Sequence, residues 1–209
     1  MAADAGPDVP EAARLESLWA GEFGDAYSDR NAEAGIGRNA FWDMLLSKYQ
    51  VRRVLEVGCN AGANLQWIAP QLPPGDTYGI DVNQEAISRL RKRVPTANAI
   101  VSPARELPFR DRWFDLSFTT GVLIHQPEST LPLVMAEIVR VSRRLVLCGE
   151  YFAADTVEVP YRGMHGALFK RDYGRLYAEL FPELRLIDQG VLGRAEGWDE
   201  VTWWLFERP

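Results

Sequence analysis

Arg53 to Ile68, RVLEVGCNAGANLQWI, starts as a short apolar run, breaks into a glycine-bearing turn and resumes at helical spacing. Val54, Leu55 and Val57 have the makings of a buried strand, while Leu65, Ile68 and Leu72 recur as one face of a helix. Gly58 and Gly62 remove side chains where the backbone must bend tightly. Such a strand–turn–helix aims the unpaired N–H groups of the helix start at whatever lies on the turn, and the missing Cβ atoms let that ligand approach the main chain.

Two ligand classes use turns of this kind, and spacing separates them. The dinucleotide pattern G-x-G-x-x-G falls on Gly58, Asn60 and Ala63, a poor match. The pattern E/D-x-G-x-G-x-G falls on Glu56, Gly58, Asn60 and Gly62 and departs once, at Asn60, a residue type that tolerates positive φ. In this the stretch resembles the glycine-rich turn of class I S-adenosylmethionine methyltransferases. A turn that holds no ligand is the plainer alternative.

The whole chain bounds the answer. Its 209 residues, 47% of them hydrophobic, suit one α/β domain over 1–209. A net charge of -6, from 29 acidic and 23 basic residues, disfavours a nucleic-acid partner and favours a small substrate. The two cysteines, Cys59 and Cys148, form no secreted disulfide pattern, and no apolar run reaches membrane-spanning length, so a cytoplasmic protein with no membrane partner is expected. Residues 1–10 read as a disordered lead-in.

Along the chain, Leu15, Leu18 and Trp19 mark a short amphipathic helix over residues 11–20. GEFGDAYSDRN is too rich in glycine and charge to continue it and fits either a lid over the ligand turn or a surface loop. A helix over 39–49 precedes the first strand, and the N-terminal helices and lid together span 11–50. TYGIDV is a second strand; Asp81 near its end, about 20 residues past the turn, is placed to accept bonds from both ribose hydroxyls, with Val82 beside it, and Asn83 is placed to cap the next helix. A capping role for Asp81 is its plainer reading. SPARELPF follows a short third strand, and WFDLSFTT forms the fourth, bringing Thr120, Gly121, Val122 and His125 to the same edge. Thr130 or Ser129 caps a helix, and RRLVLCGEYF is the fifth strand, ending at Glu150 and Tyr151.

Residues 152–172 read as an insertion-like substrate loop without a clean period, followed by a helix capped by Asp172. LRLIDQGV and VTWWLFER form an antiparallel C-terminal hairpin, whose tryptophans suit an interface or the core. The fold class is therefore α/β, a Rossmann-like doubly wound sheet of seven strands with an N-terminal helical lid.

With these elements placed, the chain resembles a class I S-adenosylmethionine-dependent methyltransferase from end to end. GEFGDAYSDRN, EVGCNAGANL, GVLIHQPE, EYF with VEVPYRG, and LFKRDY are similar to the methylases associated with pseudaminic acid biosynthesis. The resemblance implies S-adenosyl-L-methionine as cofactor and a sugar-pathway or natural-product acceptor. It further implies that Gly58, Asn60 and Gly62 support the methionine part, Asp81 the ribose and Ser102, Pro103 and Ala104 the adenine, with Glu56, Val82, Thr120, Gly121 and Val122 also at the cofactor. Pro103 stands where the family's G-D-A-x-x-L-P-F has an aspartate, which leaves adenine to backbone groups and Ser102. Arg30 is the candidate for the cofactor carboxylate, with Tyr27 and Trp19 over the sulfonium.

Methyl transfer from a sulfonium leaves the protein to align the partners and remove a proton. His125 is the candidate base, with a structural histidine bonded to a loop carbonyl as the alternative; Glu150 is the second candidate, oriented by Tyr151. Tyr161, Arg162, His165, Lys170 and Arg171 form a cationic cluster suited to an acidic acceptor, or are solvated surface charge. An NAD-dependent oxidoreductase and a catalytically silent cofactor-binding protein remain the other function classes. No metal is expected, and the chain is a monomer or homodimer.

Overall fold

The computed structural model describes residues 11–209, so the lead-in expected over 1–10 lies outside the described residues. Helix α1 (Glu11–Ala20) is followed by α2 (Glu22–Arg30), a separate nine-residue helix. The segment read as lid or loop is thus helical: Gly21 breaks the register, and Glu22 and Asp25 complement the dipole of the new first turn. Helix α3 (Asn39–Tyr49) buries Phe41, Trp42, Leu45 and Leu46.

A parallel sheet follows. Strand β1 (Val54–Val57) leads through the glycine turn into α4 (Leu65–Ile68), then β2 (Thr77–Asp81), α5 (Gln84–Arg93), β3 (Asn98–Val101), β4 (Phe114–Thr120), α6 (Leu131–Val141) and β5 (Ser142–Glu150). Helix α4 is shorter than the Leu65–Ile68–Leu72 spacing implies, because Pro70 turns the chain into a 3-10 turn at Ala69–Gln71. Asn83 caps α5, its Oδ1 accepting from Ala86 N at 2.7 Å. Thr130 holds the N-cap position of α6 but makes no side-chain cap bond.

The insertion is an ordered ribbon. Strands β6 (Val157–Glu158) and β7 (Phe169–Lys170) pair antiparallel, too briefly to show a period-2 signature in the sequence. Helix α7 (Tyr173–Leu180), capped by Asp172 through a 2.9 Å bond from Arg175 N, turns Tyr173 and Tyr177 fully inward. Strands β8 (Arg185–Leu192) and β9 (Val201–Glu207) then form the expected antiparallel hairpin.

The seven-stranded order is β3-β2-β1-β4-β5-β9-β8, with the strands from β3 to β5 parallel and β9 antiparallel to both its neighbours. The order reverses between β1 and β4, so the crevice that serves as the ligand position of a doubly wound sheet opens over their carboxyl ends. One core layer packs α3, α4 and α5 on the sheet around Trp42, Ile68 and Leu90, and the other packs α6 and α7 around Met135, Ile138 and Tyr177. Trp203 and Trp204 are both buried, so the closing strand serves the core.

Candidate functional site

Gly58, Asn60 and Gly62 all have positive φ, of 73°, 45° and 80°. A Cβ on Gly58 would stand 2.3 Å from Cγ2 of Val122, so glycine is required there by space as well as by conformation. Gly58 N and Cys59 N each donate to Ile80 O at 2.8 Å, which lays the turn across the end of β2. Asn60 N donates to Asp81 Oδ2 at 2.8 Å and Asn83 N to Asp81 Oδ1 at 2.9 Å. Burial raises the Asp81 pKa and these N–H donors oppose the rise. With the Val82 N–H also against the carboxylate, lone-pair capacity is left on Asp81 for a further donor.

Beside the turn lies a polar network that the sequence does not announce. Asn64 is buried; its Nδ2 donates to Glu56 Oε1 at 2.6 Å and to Thr120 Oγ1 at 2.9 Å, and its Oδ1 accepts from Arg38 Nη1 at 3.0 Å. Glu56 is 2% exposed, and its other oxygen, Oε2, has no partner among the described residues. Burial pushes the Glu56 pKa up to about 8 despite the Asn64 bond and the nearby Arg38. A buried acceptor with an unused lone pair is costly unless a donor arrives, and an ammonium group answers the geometry and favours the ionised carboxylate. Arg38 is held by Gly197 O at 2.9 Å and by stacking 4.0 Å over the Trp198 ring. With the Asn64 bond, two of its five N–H bonds are spent among the described residues, and three remain for an anion.

On the far side, a 3-10 turn at Leu123–His125 carries His125 into the cleft. His125 Nδ1 lies 2.6 Å from Ala167 O, which makes Nδ1 the donor and leaves Nε2 with its lone pair; burial lowers the pKa to about 4. Trp19 packs at 4.4 Å from the imidazole, centroid to centroid, with Tyr161 at 5.5 Å. Phe23 and Tyr27 meet Trp19 edge-on at 5.2 and 5.3 Å.

Most of these groups line a cavity of about 210 Å³ that runs from Arg38 and Glu56 past Asp81 to Pro103 and Arg105; Gly62, Phe23 and Tyr161 stand outside its lining. It brings together Trp19, Tyr27, Glu56, Gly58, Asn60, Asp81, Val82, Ser102, Pro103, Ala104, Thr120, Gly121, Val122, His125 and Tyr151 from the sequence reading. Burial raises the Tyr151 pKa to about 12. The Ser102 hydroxyl is spent on Glu106 O at 3.1 Å, within its own loop.

Several expectations are corrected. Arg30 is exposed and outside the cavity, at the far end of α2, and Arg38 is the cation that reaches it. Glu150 is fully buried outside the cavity, and its carboxylate accepts from the N–H groups of Val122, Leu123 and Ile124 at 3.0 to 3.3 Å, so it fastens the turn carrying His125 and has no path to an acceptor. The cationic cluster is dispersed. Arg171 is 4% exposed and bonds Gln126 O and the Tyr173 hydroxyl at 3.2 and 3.3 Å, His165 is exposed beside Glu158, and Arg162 is exposed with its guanidinium 5.8 Å from the Tyr161 ring. Lys170 is half-buried, 5.8 Å from the Tyr151 ring. Arg38, Asn64 and Ser28 were not singled out by the sequence reading. Arg38 carries one local signal, a cation at the N-cap of α3, where the helix dipole disfavours it.

Residues 54–144 match the family model described as a methyltransferase domain. Over 94 residues the chain is 32% identical to the phthiotriol/phenolphthiotriol dimycocerosates methyltransferase of Mycobacterium tuberculosis, covering 44% of this chain and 34% of that protein. Over 66 residues it is 36% identical to a fatty-acid O-methyltransferase of Mycolicibacterium smegmatis, covering 31% of this chain and 24% of that one. The chain thus spans about a third or less of the length of these curated relatives. Among solved structures, the magnesium protoporphyrin IX methyltransferase of Synechocystis with bound S-adenosylhomocysteine superposes with a TM-score of 0.70 at 10% identity, covering 94% of this chain and 99% of that one. The 1,6-didemethyltoxoflavin-N1-methyltransferase of Burkholderia thailandensis does so at 0.69 and 18% identity, covering 98% and 92%. The fold is that of class I methyltransferases.

Proposed function

We propose that the chain is an S-adenosylmethionine-dependent methyltransferase acting on a small acceptor. The observation that carries this reading is the buried Glu56 Oε2, unpartnered among the described residues, next to the half-satisfied Arg38 guanidinium: a carboxyl group and a cation, both incomplete, at the end of the cavity. An α-amino acid completes both at once, its ammonium toward Glu56 and its carboxylate toward Arg38. Asp81 would hold the ribose hydroxyls, and Pro103 and Ala104 would flank the base through apolar contact and backbone groups. Trp19 and Tyr27 would lie over the sulfonium, attracted by their ring faces.

The cofactor supplies a methyl group already activated by its positive sulfur, so this chain's share is alignment, exclusion of water and one proton. Alignment falls to the turn, Asp81 and Arg38. Exclusion falls to the aromatic cluster of Trp19, Phe23, Tyr27 and Tyr161. The proton goes to His125 Nε2, whose lone pair is fixed by the Nδ1–H bond to Ala167 O. A base of such low pKa suits a hydroxyl acceptor, because an alcohol oxygen becomes strongly acidic only as its bond to the methyl forms. This favours O-methylation. The similarity to the pseudaminic acid-associated methylases favours a sugar or natural-product acceptor, with Arg162 and Lys170 the remaining cations of the insertion for any acidic group.

Calorimetric titration with S-adenosylhomocysteine tests the cofactor site: one molecule bound per chain is expected, and absence of heat with it and with S-adenosylmethionine would sink the reading. His125→Ala is then expected to keep cofactor affinity within about threefold and to lose about 10²-fold or more in turnover. A nicotinamide cofactor raising the melting temperature in place of S-adenosylmethionine would favour an oxidoreductase.

A further inference from the structure

Asn60 occupies the middle of the cofactor turn at φ 45°, a conformation that glycine adopts without steric cost and asparagine does not. Its backbone N–H bond to Asp81 would be made equally by glycine. The side chain adds something glycine has no atoms for: its Oδ1 accepts from Ser28 Oγ at 2.6 Å. Ser28 lies in α2 and is 1% exposed, so this hydroxyl has no water to fall back on. A second tie runs parallel. Asn83 Nδ2 donates to Trp19 O at 3.1 Å and to Asp25 Oδ1 at 2.8 Å. The main-chain N–H groups of both asparagines donate to the same carboxylate, Asp81. Helices α1 and α2, which carry Trp19 and Tyr27 over the cleft, therefore hang from the two groups that orient the proposed ribose-binding side chain.

We propose that Asn60 is a positioning residue that clasps α2 through Ser28 over the bound cofactor, so that cofactor exchange requires the turn to release the lid. The proposal rests on the cofactor reading above and explains why a side chain stands where the turn pattern calls for glycine. Loss of the Asn60 clasp loosens α2 while the turn itself keeps its shape, since glycine relaxes at this φ.

The test uses Asn60→Gly, Ser28→Ala and the double variant in the full chain. Amide hydrogen exchange in the free protein is expected to rise about fivefold or more across α2, with α3 unchanged, and release of S-adenosylhomocysteine in stopped flow to accelerate about tenfold. Asn60→Gly relieves the positive φ but leaves the Ser28 hydroxyl without its acceptor, so a modest fall in melting temperature with unchanged exchange in α3 separates unclasping from misfolding. The double variant should match the stronger single variant, because both remove one bond. Wild-type exchange in α2 for both single variants, or effects that multiply in the double, would overturn the clasp. The exchange measurement needs no ligand, so a chain that fails to bind S-adenosylhomocysteine would refute the cofactor reading while exchange alone still decides whether α2 is clasped.

Discussion

Arg38 and Asn64, separated by 26 residues, are joined by a 3.0 Å bond from Nη1 to Oδ1, and Asn64 passes the contact on to Glu56 at 2.6 Å. The carboxamide thus stands between the guanidinium and the carboxyl group and keeps the two from pairing directly, which leaves N–H groups of Arg38 open to a ligand anion.

Arg38→Met is therefore expected to weaken S-adenosylhomocysteine binding about 10- to 100-fold, the worth of a charge-assisted contact to a carboxylate. Arg38→Lys should recover only part of it, since a lysine cannot hold Gly197 O, Asn64 Oδ1 and a ligand from one planar fork. Calorimetry on the two variants checks this; equal affinity for both and for the parent would remove Arg38 from the site. Arg30→Met, on the exposed end of α2, should leave affinity unchanged.

Histidine titration gives a second check. Burial holds the His125 pKa near 4, and the only other histidine in the chain is His165. A buried base with a depressed pKa stays neutral as pH falls through the ordinary histidine range and takes a proton only near its own value. In a ring-proton NMR titration one signal should therefore stay flat from about pH 8 to about pH 5. His165→Gln identifies it by leaving it in place. A midpoint near 6.5 for that signal would mean that the imidazole is solvated and that the 2.6 Å bond to Ala167 O is not kept.

What the sequence made legible is what local physics decides. Alternation and breakers placed the seven strands, Asn83 and Asp172 could be read as caps because a cap acts within three residues, and the positive φ of Asn60 followed from its place in the turn. What it hid depends on partners far along the chain. Arg38 meets Gly197, 159 residues away, and nothing near residue 38 says so. Glu150 looks like a cleft carboxylate because it ends a strand, yet three N–H groups from 26 to 28 residues earlier claim it. Arg171 looks like surface charge in the run Lys170–Arg171–Asp172, and only the packing of Tyr173 and Phe169 turns it inward.

That inward turn predicts a split within the cationic insertion. Arg171→Ala removes a buried cation that bonds Gln126 O and the Tyr173 hydroxyl and stacks 4.4 Å from the Phe169 ring, and should cost about 2 kcal/mol. In a chain of this length that lowers the melting temperature by roughly 4–8 °C. Arg162→Ala touches only an exposed side chain and should stay within about 0.5 kcal/mol. Thermal melts of the two variants decide it, and equal melting temperatures would place Arg171 back on the surface.

The pH dependence of cofactor binding follows from Glu56. Its pKa in the free protein is about 8 because burial penalises the anion, so below that pH the carboxyl carries a proton that an unfolded chain would have lost near the ordinary carboxylate value. The stabilisation linked to that proton is fully present below the unfolded value and is lost as pH rises through about 8, so Glu56 makes the free protein less stable in mild alkali. A ligand ammonium reverses the preference, since a positive charge against Oε2 favours the anion. Binding then expels the proton, and affinity for S-adenosylhomocysteine should rise with pH, by up to about tenfold per unit between about pH 6 and 8. Glu56→Gln keeps the shape and the Asn64 contact but has no proton to lose, so its affinity should be weaker at pH 8 and flat across the same range. Calorimetry in two buffers of different ionisation heat would count the released proton directly: close to one for the parent chain at about pH 6.5 and none for Glu56→Gln. A parent chain that binds with no proton release would mean that no cation settles on Glu56, and the assignment of the amino-acid end of the cleft would fail with it.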